Sequence, residues 1–204
     1  MTRQDDLQRY RDRRDFRRSP EPSGEAGGTS RWKEDNPIFV IQEHRARSHH
    51  FDFRLEVDGV LRSWAVPKGP STDPSEKRLA RAVEDHPLEY ADFEGTIPEG
   101  EYGGGVVIVW DAGPYRPIRE NDDGEPVPVD RQLDEGQAEV WLEGRKIRGG
   151  YALVRAKVGG DEDNWLLVKM KDEGADARRA PARTEPTSVL SGRTVDDVAG
   201  EDDG

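Results

Sequence analysis

A strict alternation of polar and apolar residues from His50 to Val57 limits most strongly how this chain can fold. Successive side chains on a β-strand point to opposite faces, so the pattern predicts a strand with one apolar face and one polar face. The dipeptide Asp58-Gly59, which favours tight hairpin turns, follows directly and leads into a second run from Val60 to Val66. The middle of the chain is therefore predicted to be antiparallel β-structure built from hairpins.

Other short apolar runs predict more strands. They are Ile38 to Gln42, Arg81 to His86, Val106 to Trp110, Ala138 to Leu142, Tyr151 to Lys157 and Trp165 to Met170. About eight short strands separated by turn residues are typical of a closed antiparallel barrel or a sandwich. The expected fold class is mainly β, with one or two short flanking helices.

Two short helices and one long loop complete this prediction. Asp5 to Phe16 carries a thin apolar stripe that suits a short charged helix. The tetrapeptide Asp73-Pro74-Ser75-Glu76 has the residues of a helix start, with Asp73 as N-cap and a capping-box glutamate three positions later. Residues 113–136 are polar and rich in proline and aspartate, so we expect a loop there.

Composition divides the chain into three parts. Residues 1–33 are predicted to be a flexible basic arm, with nine basic and six acidic residues and the linker-like sequence SPEPSGEAGGTS. Residues 34–172 are expected to form the β domain, and residues 173–204 a disordered acidic tail. Charged residues make up 36% of the chain and hydrophobic residues 32%. This hydrophobic share is too small to form a core along the whole length of the chain.

The charge balance and the absence of cysteine narrow the class of protein. A net charge of −12 disfavours a nucleic-acid partner, because phosphate backbones attract lysine and arginine, although the arm could still steer a polyanion locally. A chain without cysteine has neither disulfides nor thiolate metal sites. With no membrane-length apolar run and no signal peptide, the sequence predicts a cytoplasmic protein.

Histidine is rare in this chain, yet three of its four histidines lie between His44 and His50. On the predicted strand His50, Asp52 and Arg54 share one face, and His44 is close enough to fold back across a turn. Two imidazoles and a carboxylate suit Mn²⁺, Fe²⁺ or Zn²⁺, and an arginine beside such an ion would bind phosphate. The competing interpretation is the solvated face of an amphipathic strand. His49 is expected on the opposite face of the strand from His50 and Asp52, so it is not a candidate ligand.

A second alternating segment could contribute to the same chemistry. Arg81 to His86 places Glu84 and His86 on one face of its predicted strand, and Tyr90 follows shortly. Taken alone, Tyr90 is more simply explained as a packing residue.

Three segments closely resemble the 3′-phosphoesterase module of the bacterial and archaeal DNA ligase D family. They are FVIQEHRARSHHFDFRLEVDGVLRSWAVPKGPS, EKRLARAVEDHPLEYADFEGTIPEGEYGGGVVIVWDAG and WLLVKMKD, which together span about Phe39 to Asp172. Arg14-Asp15-Phe16 and the sequence PEPSG at 20–24 resemble the family's N-terminal motif. The sequence SVLSGRTVDDVAG at 188–200 resembles the linker that precedes a ligase domain in longer members, so we expect a stand-alone module.

The resemblance implies a compact antiparallel β-barrel whose Mn²⁺-dependent site repairs DNA 3′ ends for non-homologous end joining. Other divalent metals are alternatives to Mn²⁺. A 3′-terminal ribonucleoside would be removed first and the resulting 3′-phosphate second. The implied metal ligands are His44, His50 and Asp52. The implied substrate-site residues are Arg54, His86 and Tyr90 around the scissile phosphate, Glu84 and Arg78 in the active site, and Arg14, Asp15 and Glu21 in the arm. The strong acidity of this chain departs from the family pattern.

The resemblance also implies partners, while two other functions stay open. The expected partners are DNA 3′ ends bearing a ribonucleotide or phosphate, together with separate ligase, polymerase and Ku-type proteins, and the chain itself is expected to be a monomer. One alternative is an iron-dependent oxygenase, because His50-x-Asp52 plus another histidine formally matches a facial triad. The other is a non-catalytic module that docks a ligase or polymerase at DNA ends.

Overall fold

The computed structural model of the protein describes residues 7–25, 27–156, 161 and 163–201. The described residues form nine strands: β1 (Ile38–Arg45), β2 (His49–Val57), β3 (Val60–Val66), β4 (Lys77–Pro87), β5 (Gly95–Ile97), β6 (Gly105–Pro117), β7 (Gln137–Glu143), β8 (Arg148–Arg155) and β9 (Asn164–Lys169). The helices are α1 (Gln8–Asp12), α2 (Val129–Asp134), α3 (Pro181–Thr184), α4 (Val195–Glu201) and the 3₁₀ helix η1 (Leu88–Asp92). In this part of the chain no helix is long and apolar enough to cross a membrane.

The strands close into a barrel in which neighbours are antiparallel. The order is β1-β2-β3-β4-β9-β8-β7-β6, and β6 pairs back onto β1 to complete a ring of eight strands. The short strand β5 is outside the ring and pairs with the first residues of the long strand β6. The predicted mainly β fold is therefore confirmed as a closed barrel with one additional strand, and the sandwich alternative is excluded.

Hairpin chemistry sets the register of β2 and β3. Asp58 and Gly59 have positive φ angles of 51° and 83°, the backbone that a two-residue hairpin turn requires. Glycine adopts this region without a steric penalty and aspartate tolerates it, so the dipeptide folds back where the sequence predicts. The turn places Val57 opposite Val60, and in this register Phe53 lies opposite Trp64 and Phe51 opposite Val66 in the same core.

The barrel interior holds the main hydrophobic core. Phe51, Phe53 and Leu55, which the alternation assigns to the core face of β2, are at most 2% exposed. Phe51 packs edge-on against Trp110 from β6, with ring centroids 5.4 Å apart. Full burial of such a side chain contributes roughly 1.5–3 kcal/mol to folding, so this inner face is the main source of barrel stability.

The opposite face of β1 and β2 is also covered, by segments that lie outside the barrel. Tyr10 in the arm is fully buried, and its hydroxyl donates to the carbonyl oxygen of Pro22 at 2.6 Å. Tyr10 packs with Val40 of β1, with Tyr90 of η1 and with Phe93 in a second apolar cluster. The polar face of β2 is therefore enclosed, and the interpretation as a solvated strand face is wrong.

The predicted helix at Asp73 is wrong. The Asp73 carboxylate accepts a hydrogen bond from the backbone N–H of Ser75 at 2.8 Å, which forms a local turn. The Glu76 carboxylate accepts from the Ser71 hydroxyl and therefore does not complete a capping box with Asp73. Strand β4 then begins at Lys77, because pairing with β9 satisfies the backbone groups that a helix would have used.

The predicted loop at 113–136 is wrong in part. Strand β6 continues through Gly113 to Pro117 and pairs with both β1 and β7, and α2 follows further along. A Cβ atom at Gly113 would lie 2.2 Å from the carbonyl oxygen of Glu143, so glycine is required where these two backbones meet. Prolines near the strand end hid this extension, since pairing with distant strands outweighs local composition.

The described residues of the tail lie against the barrel. The Trp110 indole N–H donates to the carbonyl oxygen of Glu185 at 2.8 Å. The backbone N–H of Val189 donates to the carbonyl oxygen of Val109 at 2.9 Å. In α4, Val195 and Val198 are buried against β6. The proposed division into arm, barrel and tail stays a prediction; the structure adds specific contacts that join all three.

Replacing Val198 with aspartate should release α4 from β6, because a carboxylate cannot be buried there without a partner. The loss of this packing should lower the free energy of unfolding by about 2 kcal/mol. Urea unfolding measures the loss, and hydrogen exchange at the Val189 amide should become faster. Gly200→Asp adds the same charge at an exposed position of α4 and is the control. Equal stability of the two variants would contradict this packing.

Candidate active site

The pairing of β1 with β2 brings the three predicted metal ligands together. His44 lies directly opposite His50, and Gln42 lies directly opposite Asp52, so alternate side chains of both strands share the outer face. The Nδ1 atom of His44 and the Nε2 atom of His50 are each 3.6 Å from a carboxylate oxygen of Asp52. One donor atom from each residue lies within 4.8 Å of the other two.

Backbone carbonyls orient both imidazoles toward this centre. Nε2 of His44 lies 2.8 Å from the carbonyl oxygen of Gly103, and Nδ1 of His50 lies 3.1 Å from that of Ser48. A carbonyl oxygen can only accept, so these two nitrogens carry the hydrogens. The other two nitrogens, His44 Nδ1 and His50 Nε2, face Asp52 and are the ones that a shared metal ion would bind. Such outer hydrogen bonds are typical of histidines that bind metals.

Asp52 is held in its ionised form. Burial opposes its ionisation, but the Arg54 guanidinium and the two imidazoles outweigh burial and hold the pKa of Asp52 well below its usual value. An Nη2 atom of Arg54 lies 3.3 Å from Asp52 Oδ2. The carboxylate is therefore negative and available as an acceptor or a ligand at neutral pH.

Arg54 is buried and fixed on the wall of the site. Its Nε–H donates to Gln42 Oε1 at 2.8 Å, and its Nη1 donates to the Ser63 hydroxyl at 2.9 Å. The guanidinium carbon lies 4.9 Å from the ring centre of Tyr90. A guanidinium has five N–H groups. The contacts with Gln42, Ser63 and Asp52 use three of them. Two donors are left for a bound oxyanion.

Strand β4 and helix η1 supply a second wall. The Nδ1 of His86 donates to the carbonyl oxygen of Glu84 at 2.9 Å, which leaves Nε2 as an acceptor 3.4 Å from Arg14 Nη2. Burial, with Arg54 and Arg14 nearby, lowers the pKa of His86 well below its usual value, so the imidazole is neutral at pH 7. Burial and the Glu21 carboxylate raise the pKa of Tyr90 well above its usual value.

The arm completes the enclosure with an ion-pair network. Arg14 donates to Glu21 at 2.9 Å and to Glu84 at 3.2 Å. Glu21 also accepts from the Ser19 hydroxyl at 2.7 Å and from the Tyr90 hydroxyl at 2.9 Å. The side chains of Arg14 and Glu21 are 4% and 0% exposed, and buried charges persist in proteins only when they are paired in this way.

These groups surround one cavity of about 270 Å³. Nine of the eleven residues predicted for the site line it: His44, His50, Asp52, Arg54, Glu84, His86, Tyr90, Arg14 and Glu21. The other two lie elsewhere. Arg78 lines a separate cavity and contacts Glu76 at 2.5 Å. Asp15 pairs with Arg17 at 3.0 Å, and its backbone carbonyl accepts from Ser19, so it shapes the turn that leads to Glu21.

Some residues of the site were not predicted from the sequence. Gln42 connects Arg54 to η1, because its amide N–H₂ donates to the carbonyl oxygens of Tyr90 and Phe93. Its position two residues before His44 could have indicated the shared face. Ser63 and Tyr102 belong to other strands and loops, and nothing in their local sequence pattern indicates that they reach the site.

The donor set fits a divalent metal ion. His44, His50 and Asp52 offer two imidazole nitrogens and one carboxylate oxygen, the mixture that manganese, iron and zinc accept. The 3.6 Å separations between these donors are compatible with bonds of about 2.0–2.2 Å to one shared ion. The identity of the metal does not follow from this geometry.

Comparison with known proteins identifies the family. Residues 42–155, more than half of the chain, match the family described as the DNA Ligase D 3′-phosphoesterase domain. The chain belongs to this DNA ligase D 3′-phosphoesterase family. The resemblance in the sequence motifs is therefore confirmed, and membership of the family supports a hydrolase role.

Two relatives illustrate how much of a longer protein the chain matches. It is 45% identical to the multifunctional non-homologous end joining protein LigD of Pseudomonas aeruginosa, over 93% of this chain and 22% of that protein. It is 47% identical to the multifunctional non-homologous end joining DNA repair protein LigD of Mycobacterium tuberculosis, over 83% of this chain and 20% of that protein. The 3′-phosphoesterase-family chain thus spans about a fifth of the length of these curated relatives.

Alanine at His44, His50 or Asp52 should abolish tight binding of Mn²⁺, because each substitution removes one donor from the cluster. The variants should stay folded, since the barrel interior is unchanged. Metal binding is measured by isothermal titration calorimetry and folding by circular dichroism.

His49→Ala is the matched control for His50→Ala. His49 is the neighbouring residue on β2, and its Nε2 contacts Glu43 at 2.7 Å on the other side of the strand. This variant should bind Mn²⁺ as the unsubstituted protein does. Equal metal affinity in the His49 and His50 variants would contradict the assigned ligand set.

Proposed function

We propose that this chain is a metal-dependent phosphoesterase that restores DNA 3′ ends during non-homologous end joining. The observation that carries the proposal is one cavity in which a metal-ligand cluster lies beside the Arg54 guanidinium. A divalent cation next to a planar guanidinium is a pairing suited to a phosphate group. Membership of the 3′-phosphoesterase family agrees with this chemistry.

Charge within the cavity supports phosphate binding. Arg14 and Arg54 face Asp52, Glu21 and Glu84, and the formal charge of −1 on these five side chains would become +1 with a divalent cation bound. A Mn²⁺ ion held by His44 Nδ1, His50 Nε2 and the Asp52 carboxylate would supply positive charge to the non-bridging oxygens of a phosphate. Arg54 would hold the same phosphate through its two remaining N–H groups.

His86 is placed to move a proton. In the free protein its Nε2 accepts, and burial together with two guanidinium groups keeps the ring neutral by lowering its pKa. A bound phosphate would oppose the positive field of Arg14 and Arg54 and would raise the pKa of His86. The ring could then take a proton from an attacking water and return it to the departing oxygen.

Tyr90 and the arm orient this proton carrier. Tyr90 packs edge-on against His86 with ring centroids 4.7 Å apart, and its hydroxyl is fixed by Glu21. Glu21 in turn holds Arg14 beside His86. The role proposed for the arm is to position Arg14 and Tyr90 around the scissile phosphate.

We propose two successive reactions at this site. In the first, the 2′-hydroxyl of the preceding ribonucleotide attacks the phosphorus, and the terminal nucleoside leaves with a 5′-hydroxyl. Water opens the resulting cyclic phosphate to a 3′-phosphate. In the second, water attacks the 3′-phosphate and leaves a 3′-hydroxyl and inorganic phosphate. The nucleophile of the first reaction is tethered beside the phosphorus, whereas the second depends on the protein to position water.

The setting proposed for this activity follows from the family. The relatives carry non-homologous end joining in their names. We propose that a monomer of this chain acts in the cytoplasm on primer-template 3′ ends, before a ligase or polymerase uses them, with Ku-type proteins holding the ends.

Substituting His86 with alanine, or Tyr90 with phenylalanine, should slow 3′-phosphate removal by about 100-fold while nucleoside release is slowed much less. The reason is that the phosphatase reaction needs proton transfer to and from a positioned water. The measurement is a time course on a primer-template ending in two ribonucleotides, with the starting strand, the cyclic phosphate, the 3′-phosphate and the 3′-hydroxyl products resolved.

Two controls accompany this time course. Arg54→Ala should slow both reactions, since Arg54 contacts the phosphate in each, and His49→Ala should slow neither. Strands that end in the cyclic phosphate or the 3′-phosphate should accumulate only in the His86 and Tyr90 variants, because water attacks both species. Equal slowing of both reactions in those variants would show that the division of roles is wrong.

Glu21→Gln should weaken the arm network, because an amide cannot pair with Arg14 as a carboxylate does. We expect 3′-phosphate removal to fall at least tenfold, and stability to fall by about 3 kcal/mol from the broken buried ion pair. Glu25→Gln makes the same change at an exposed arm position and is the control. Phosphatase kinetics and urea unfolding measure the two effects, and matching values for both variants would remove the arm from the mechanism.

A further inference from the structure

A tyrosine at the mouth of the cavity has no role in the chemistry described so far. Tyr102 lines the same cavity as the metal-ligand cluster, yet it is 43% exposed. Among the described residues, Leu79 is the other large hydrophobic residue with this exposure, and it does not line the cavity. An aromatic ring open to solvent beside a phosphate-binding site is a surface on which a nucleobase can stack.

The Tyr102 ring is held in place. Its hydroxyl accepts from Arg13 Nη1 at 2.7 Å and lies 3.4 Å from a carboxylate oxygen of Glu84. The guanidinium carbons of Arg13 and Arg14 lie 4.9 Å and 5.2 Å from the ring centre. A ring fixed before the substrate binds loses little conformational freedom when a base stacks on it.

The backbone connects Tyr102 to the metal-ligand cluster. The next residue, Gly103, supplies the carbonyl oxygen that orients His44. Gly103 has a φ of +78°, so the chain turns sharply between the tyrosine and that carbonyl. The ring and the carbonyl that orients His44 therefore lie in one turn, which the hydrogen bond from the Gly104 N–H to the Glu101 carbonyl oxygen closes at 3.0 Å.

The size of the cavity indicates which part of the substrate reaches Tyr102. At about 270 Å³ the cavity is below the range of roughly 300–1,000 Å³ typical of small-molecule sites. A phosphate and a sugar would fill it, and the attached base would lie at the mouth. The arm meets the loop at this mouth through Arg18–Glu101 at 2.9 Å and Arg13–Tyr102 at 2.7 Å. The base of a terminal nucleoside would then lie next to Tyr102 and the arm.

We propose that Tyr102 stacks on the base of the 3′-terminal nucleoside that is released, and so makes the site selective for ends that carry such a nucleoside. The inference rests on the proposed function and specifies how that site recognises its leaving group. Stacking tolerates every base, so the selectivity is for a nucleobase in general. A 3′-phosphate end has no nucleoside beyond the phosphate and gains nothing from this contact.

The test compares two substrates for each variant. The first is a primer-template ending in two ribonucleotides, and the second is the same strand ending in a 3′-phosphate. The readout is the ratio of kcat/KM for nucleoside release to kcat/KM for phosphate removal. Tyr102→Ala should lower this ratio roughly 10- to 100-fold, within the range for loss of one stacked base. Tyr102→Phe, which keeps the ring, and Leu79→Ala should keep the ratio of the unsubstituted protein.

A third substrate, with an abasic ribose in place of the terminal nucleoside, isolates the base. On this substrate, the unsubstituted protein should release the terminal group no faster than Tyr102→Ala does. An unchanged ratio in Tyr102→Ala would overturn the proposal. Equal loss on both substrates would also overturn it, because the tyrosine would then serve only to hold Arg13 and the arm.

A binding measurement separates this proposal from the proposed function. A primer-template whose terminal base is 2-aminopurine is titrated with protein in metal-free buffer, where its fluorescence should be quenched by stacking. Quenching is expected with the unsubstituted protein and Tyr102→Phe, and its loss is expected with Tyr102→Ala. Quenching without any turnover when Mn²⁺ is added would leave the stacking contact standing and reject the proposed function. Turnover without quenching would support the proposed function and reject the stacking contact.

Discussion

The antiparallel register of β1 and β2 is the constraint on which the rest of the site depends. It places His44 opposite His50 and Gln42 opposite Asp52, so two rows of alternate side chains meet on one face. A shift of one residue in either strand would move its row to the other face of the sheet. The closure of β1 onto β6 holds β1, and the Asp58-Gly59 turn holds β2 against β3, so both strands are also fixed by their other neighbours.

The outer face of these strands combines charges with burial, and this combination requires a cover. Asp52, Arg54 and His86 are each less than 8% exposed. Isolated charges at this depth would be unfavourable, and the pairing of Asp52 with Arg54 and of Arg14 with Glu21 and Glu84 offsets that cost. Because the arm provides two members of this network, it belongs to the site as much as the strands do.

Loops support the same centre from a distance. Gly103 orients His44, and the strand that follows it, β6, is covered by α4 from the tail. Lys146 donates to the carbonyl oxygens of Glu185 and Thr187, which holds the tail beside Trp110. The arm and the loop thus meet at the metal-ligand cluster, while the tail packs on the adjacent strand β6. Changes in any of them can reach the site without touching a substrate.

Local sequence determined the strands, the hairpin turn and the shared face of His50, Asp52 and Arg54, because side-chain alternation and turn chemistry act over a few residues. The tertiary structure alone decided what depends on distant pairing. Lys77 joins β4 although the preceding residues suit a helix start, and residues 113–117 extend β6, since backbone pairing outweighs local preference. Closure of the barrel also put Arg78 in a different cavity and enclosed Arg54 beneath the arm, and burial of that kind is a property of the packed chain.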